Sequence, residues 1–75
     1  MPCLTSDGRL TESAKEMLQL LDAPRTPDQV AQLIGLPLYR IRASLREMVE
    51  AGLVEQRDDH YATLEAGRKK LAEQS

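Results

Sequence analysis

TPDQVAQLIGLPLYRIRASLREMVEAGLV, residues 26–54, is the stretch of this 75-residue chain that decides its fold. Thr26 is a residue type that caps helix N-termini, Pro27 suits the first helical position, and Gln29 completes a capping box. Gly35 can take the left-handed conformation that ends a helix. Between them, apolar residues recur at helical spacing: Val30, Ala31, Leu33 and Ile34. The pattern predicts a short helix that begins after Thr26 and ends at Gly35.

A second helix is predicted to follow almost without a linker, after Leu36 and Pro37. Its apolar residues recur at i, i+4, i+7 and i+8 and therefore share one stripe: Ile41, Leu45, Met48 and Val49. The residues that gather on the opposite side are Tyr39, Arg42, Ala43 and Arg46. The helix is expected to end in the Glu-Ala-Gly of residues 50–52, and an extended run begins at Leu53.

Ala31, Gly35 and Ile41 have the spacing of the helix-turn-helix pattern, in which a glycine follows an alanine by four positions and a β-branched residue comes six later. The continuation through EAGLVE (50–55) and YATLEAGRKKL (61–71) resembles winged-helix regulators of the MarR and PadR type. In those families a wing and a helix with Gly-Arg follow the recognition helix. The resemblance covers residues 10 to 73. It implies a mainly α winged helix-turn-helix fold: a three-helix core, a two-stranded β-hairpin wing and a C-terminal helix.

Length and composition predict one small domain with an aliphatic core, because the chain has no Trp and no Phe. Cys3 is the only cysteine, which excludes an intramolecular disulfide and a thiol-rich zinc site. Residues 1–9 combine Pro, Ser, Asp and Gly and are expected to form a flexible lead to a domain at 10–75. We find no membrane-spanning run and no signal-peptide core, so we expect a cytoplasmic protein without a cofactor.

Two further helices flank the central stretch in this interpretation. Thr11 is expected to cap the first, which runs to Asp22 and carries an apolar stripe: Leu10, Ala14, Met17, Leu18 and Leu21. The last helix is expected from Leu64 to about Gln74. Its Gly67 is unfavourable in a helix interior, which predicts close packing, most simply against the first helix. The first and last helices either complete the core alone or also supply a homodimer seam.

The predicted wing runs from Leu53 to Thr63, with Asp58-Asp59 as a two-residue hairpin turn. A strand of one or two residues before Thr26 is expected to pair with it, and Thr63 is expected to cap the last helix. The wing tip is acidic, so phosphate would be repelled from it, and Arg57 and the neighbouring histidine compensate only in part.

The arginine-bearing face of the second helix is the candidate site, since an α-helix fits the major groove and Arg can hydrogen-bond guanine O6 and N7. Arg42 and Arg46 lie one turn apart, with the small Ala43 allowing close approach. Leu38 is expected to be buried. The residues predicted to contact duplex DNA are Pro37, Tyr39, Arg40, Arg42, Ala43, Arg46 and Arg57.

These observations favour a sequence-specific transcriptional regulator that binds DNA as a homodimer. The alternative is a winged-helix module that binds another protein, which suits the net charge of −2. A solvated arginine face without a ligand is the third interpretation. We expect no enzyme, because His60 is the only histidine and no pair of acids or phosphate-cradling glycine loop stands out.

Overall fold

The computed structural model describes residues 9–74, so the predictions for residues 1–8, including Cys3, lie outside the described residues. The described chain is mainly helical, as predicted, with four helices and one antiparallel hairpin. The elements in chain order are α1 (Glu12–Leu20), α2 (Pro27–Ile34), α3 (Leu38–Glu50), β1 (Val54–Arg57), β2 (His60–Thr63) and α4 (Glu65–Gln74). None of the helices within residues 9–74 combines the length and the apolar character needed to cross a membrane.

The predicted helix ends are confirmed where side chains determine them. The Thr26 hydroxyl accepts from the Gln29 backbone N–H at 3.2 Å, and the Gln29 side chain accepts from the Thr26 N–H at 3.0 Å. Gly35 ends α2 in the left-handed conformation, with φ 83°. Thr11 caps α1 through the Ala14 N–H. α1 stops at Leu20 rather than at the predicted Asp22, because the chain turns there.

The core lies between α1, α2, α3 and the start of the hairpin. Its members are at most 6% exposed: Leu10, Ala14, Met17, Leu18, Leu21, Val30, Ile41, Leu45, Met48, Leu53 and Val54. The stripes predicted for α1 and α3 are therefore confirmed, with Val49 at the partly buried edge. Leu33 departs from the predicted α2 stripe and is 57% exposed. Leu38, expected to be buried, is half-buried.

The hairpin has the predicted two-residue turn. Arg57 pairs with His60 at its end, and Asp58 takes a positive φ of 55°. The predicted short strand before α2 is one residue long: Arg25 and Tyr61 exchange two backbone hydrogen bonds, at 3.0 and 2.8 Å. This bridge ties the start of α2 to the hairpin, so both approach α3 from a fixed direction.

The predicted capping role of Thr63 is wrong. Its side chain turns inward, where the hydroxyl donates to the Leu18 carbonyl oxygen at 2.9 Å, and the residue is 6% exposed. Leu64 stands before the first residue of α4 instead. A buried hydroxyl needs a partner, and the last turn of α1 supplies one.

The predicted reason for Gly67 is also wrong, because its closest neighbour is the chain entering the hairpin and not α1. A Cβ on Gly67 would lie 2.3 Å from the Leu53 carbonyl oxygen and 2.7 Å from Thr63 Cγ2. The same carbonyl accepts a hydrogen bond from the Leu64 N–H at 2.8 Å. α4 therefore packs so closely on the hairpin that a hydrogen is the only side chain with room.

Gly67→Ala is expected to destabilise the fold, although helix propensity alone would favour it by about 1 kcal/mol. Overpacking against backbone costs about 1–3 kcal/mol, and the carbonyl cannot rotate away as a side chain would. We expect a melting temperature roughly 5–15 °C lower by circular dichroism. Ala66→Gly, at the exposed neighbouring position, is the matched control for helix propensity. A more stable Gly67→Ala variant would contradict the close approach.

Candidate nucleic-acid interface

Two arginines on the outer face of α3 form the centre of the candidate site. Ile41 and Leu45 are fully buried, and at about 100° per residue the helix then turns Arg42 and Arg46 outward. Both arginines are exposed, and Ala43 between them is half-buried. The predicted arrangement of two guanidinium groups one turn apart, with a small residue between them, is present.

The side chains of Arg42 and Arg46 form no hydrogen bond or ion pair with other residues in the part of the chain that the structure describes. Other arginines are engaged. Arg25 Nε donates to the Leu20 carbonyl oxygen at 2.7 Å, and Arg68 lies 2.9 Å from a Glu65 carboxylate oxygen. The guanidinium groups of Arg42 and Arg46 thus keep their donors for water or for an external acceptor.

The start of α3 is open as well. Pro37 occupies the cap position without a side-chain hydrogen bond to the helix, in contrast to the capped start of α2. Tyr39, in the first turn, is 73% exposed. The first N–H groups of a helix carry partial positive charge and favour an anionic acceptor such as phosphate.

Two of the residues predicted to contact DNA are engaged with other groups of the chain. Arg40 is half-buried and has an interaction partner within the chain. Arg57 Nε donates to a Glu55 carboxylate oxygen at 3.2 Å, so it is not an unengaged cation at the tip. Side chains alternate along a strand, and Arg57 lines a smaller cavity of about 130 Å³ rather than the space facing α3.

A groove of about 570 Å³ separates α3 from the hairpin tip and the start of α2. We call it the charged groove. Its apolar lining includes Pro27, Val49 and Tyr61, and its charged lining consists of Arg42, Arg46, Asp28, Glu50, Asp58 and Asp59. Four carboxylates thus face two guanidinium groups, and the lining is net acidic.

The sequence analysis missed Asp28 and Glu50 as parts of this site. Asp28 lies in the first turn of α2 and Glu50 ends α3, and only the tertiary arrangement of the two helices and the hairpin brings them to one groove. The side of Gln56 was predictable, since its cross-strand partner in the hairpin is Tyr61, which lines the same groove.

No cluster of three or more His, Cys, Asp or Glu side chains that could hold a metal ion occurs among residues 9–74. His60 Nδ1 lies 2.7 Å from an Asp59 carboxylate oxygen, and both side chains are largely solvent-exposed.

The described surface offers few large apolar side chains through which two copies of the chain could associate. Among the described residues, the exposed large hydrophobic side chains are Leu33 on α2 and Tyr39 on α3. Met17 and Leu18 of α1 are buried in the chain's own core, and Leu71 of α4 is partly buried against that core. Among residues 9–74, a homodimer seam on α1 and α4 would therefore find no exposed large hydrophobic side chain on either helix.

Comparison of the chain with protein-family models, with curated protein sequences and with solved structures finds no match in any of the three.

Proposed function

We propose that the chain is a winged helix-turn-helix protein that binds duplex DNA through α3 and acts as a transcriptional regulator. Support comes from the Ala31, Gly35 and Ile41 pattern, which falls on two helices joined at a left-handed glycine. An α-helix of this kind fits the major groove. The observation that carries the proposal is the pair of exposed guanidinium groups without a partner in the described chain.

Each residue of the α3 face has a role in this proposal. Arg42 and Arg46 reach base edges, where bidentate hydrogen bonds to guanine distinguish one base pair from another. Pro37 and Tyr39, at the uncapped start of α3, approach the phosphate backbone. Ala43 leaves space for the bases. Arg40 and Arg57 were also predicted to contact DNA. Because both already have partners within the chain, their contacts are confined to the edges of the DNA-facing surface.

Binding as a homodimer is part of the proposal. Two arginines on one helix offer few contacts, and two copies on a palindromic site, about 10–10.5 base pairs apart, would double them. Because the described residues of α1 and α4 include no exposed large hydrophobic side chain, we expect the DNA itself to hold the two copies side by side.

The hairpin is expected to stand away from the phosphate backbone. Asp58 and Asp59 form its tip and would be repelled by phosphate, so the wing contributes little to affinity.

The first test is a salt titration of binding to duplex DNA. We expect the parent chain to bind at low salt with a shallow dependence, corresponding to about two to four phosphates at about 0.9 log units each. The variant D58N/D59K should bind more tightly and add up to one such unit, and Asn at position 58 keeps a residue that tolerates positive φ. A parent chain that binds no DNA at low salt would contradict the proposal.

The second candidate function is a protein-interaction module. The net acidic lining of the charged groove favours it, because a phosphate backbone entering that groove would meet four carboxylates. This candidate predicts that duplex DNA fails to bind at low salt while the fold remains intact.

A further inference from the structure

The outer face of α3 carries one acidic side chain in line with its two arginines. Glu50 follows Arg46 by four residues, as Arg46 follows Arg42. At about 100° per residue, each step of four residues turns only about 40° around the helix, so the three side chains form one row along its axis. All three are exposed, and all three line the charged groove. Glu50 therefore faces the same space as the two arginines.

The Glu50 carboxylate forms no hydrogen bond or ion pair among residues 9–74. Arg46 lies one turn earlier on the same face, yet the two side chains do not pair. On α4, by contrast, Arg68 lies 2.9 Å from a carboxylate oxygen of Glu65. A glutamate that precedes its cation along a helix forms the better pair, and α3 has the reverse order. Glu50 thus keeps its acceptors for water or for an external donor.

The position of Glu50 is unfavourable for a carboxylate in the folded chain. Glu50 is the last residue of α3, where the free C=O groups carry partial negative charge, and the last turn contains no basic residue. Asp28, Asp58 and Asp59 line the same groove and add to the repulsion. An exposed charge that opposes the stability of its own helix indicates a role outside the fold.

We infer that Glu50 is a specificity-determining residue of the proposed DNA site and accepts a hydrogen bond from the N4 amino group of cytosine. The inference rests on the proposed function. In the major groove, the donors on base edges are the amino groups of cytosine and adenine, and carboxylates accept from cytosine N4. Adenine presents the acceptor N7 beside its amino group, whereas guanine and thymine present only acceptors. A carboxylate at this place therefore favours cytosine over the other three bases.

The length of the row matches a short run of base pairs. Eight residues separate Arg42 from Glu50, which is about 12 Å along the helix axis at about 1.5 Å per residue. Base pairs stack about 3.4 Å apart, so the row extends over roughly three to four base-pair steps. Arg42 and Arg46 each recognise a guanine, and Glu50 recognises a cytosine at the end of the row. The preferred duplex accordingly has G·C base pairs at the three positions that α3 reads.

The same carboxylate works against contact with phosphate. A guanidinium group binds phosphate as well as guanine, whereas Glu50, one turn from Arg46, repels phosphate. A charge left without a partner on the wrong ligand is a source of discrimination. Glu50 therefore lowers the affinity for duplexes of arbitrary sequence and raises the ratio of specific to non-specific binding.

The test is the selection of preferred sites from random duplexes at low salt by the full parent chain and by Glu50→Gln. A Gln side chain pairs with N6 and N7 of adenine, so we expect the preference to change from cytosine to adenine at one base pair. The parent should favour cytosine there by roughly fivefold to tenfold, and the variant should reverse this order. The guanine positions should stay unchanged, and affinity for scrambled duplexes should rise about twofold to fivefold.

Glu73→Gln is the matched control. Glu73 is likewise exposed in the last turn of a helix, α4, and does not line the charged groove. Both variants remove a carboxylate near a helix C-terminus, so both should melt roughly 1–5 °C above the parent by circular dichroism. Only Glu50→Gln should change the base preference. A lower melting temperature for Glu50→Gln would mean that the carboxylate supports the fold, which would contradict the inference.

The outcomes distinguish this inference from the proposed function. A parent chain that selects a site, together with a Glu50→Gln variant that selects the same site at every position, would overturn the inference and retain the function. The same change of preference in Glu73→Gln would also overturn it. A parent chain that binds no duplex DNA at low salt would overturn both. A change from cytosine to adenine confined to Glu50→Gln would establish Glu50 as a reader of bases.

Discussion

Replacing both Arg42 and Arg46 with alanine is expected to weaken binding at the preferred DNA site by about 2–6 kcal/mol, which is roughly 30-fold to 20,000-fold. Each bidentate contact to guanine contributes about 1–3 kcal/mol of discrimination, and both guanidinium groups keep their donors unused in the described chain. The melting temperature should change little, because both side chains are exposed. The measurement is a titration of preferred and scrambled duplexes, with each single variant alongside.

The pattern of loss identifies the kind of contact. Base reading predicts that each single variant relaxes preference at one base pair, whereas phosphate contact alone predicts a uniform loss and a salt slope smaller by about one unit per contact. K69A/K70A on α4 removes the same charge from another face and serves as the matched control. A folded R42A/R46A variant that binds the preferred site as well as the parent does would reject α3 as the reading helix.

Leu45→Ala is expected to reduce the free energy of unfolding by about 2–5 kcal/mol, a large share of the stability of so small a domain. Leu45 is fully buried at the centre of α3 and packs in the core shared by the helices and the hairpin. The truncation removes apolar contacts and leaves a cavity that the neighbouring helices fill only in part. Urea unfolding followed by circular dichroism measures the loss.

Leu33→Ala is the matched control, since it is the same substitution on the neighbouring helix α2. Leu33 is 57% exposed, so we expect a change within about 0.5 kcal/mol, as for other surface positions. Equal losses for the two leucines would contradict the burial pattern and with it the orientation of the α3 face.

Local chemistry determined much of the helical frame. The hydroxyl of Thr26, the fixed φ of Pro27 and the side chain of Gln29 act within one turn of backbone, so sequence spacing was sufficient to predict the start of α2. Gly35 ended α2 for the same local reason. The buried stripe of α3 followed from its helical period, and that stripe in turn determined which arginines face outward.

The rest depended on contacts between residues far apart in the chain. Thr63 has a side chain that can cap a helix. It lies beside Leu18, however, and its buried hydroxyl donates a hydrogen bond to the Leu18 carbonyl oxygen. Gly67 was recognisable as a close approach, but only the packing of α4 identified the carbonyl of Leu53 as its neighbour. The mixed charge of the groove arises in the same way. Helical period and residue propensity place each side chain on its own element. Only the tertiary arrangement of α2, α3 and the hairpin brings the carboxylates and the guanidinium groups together.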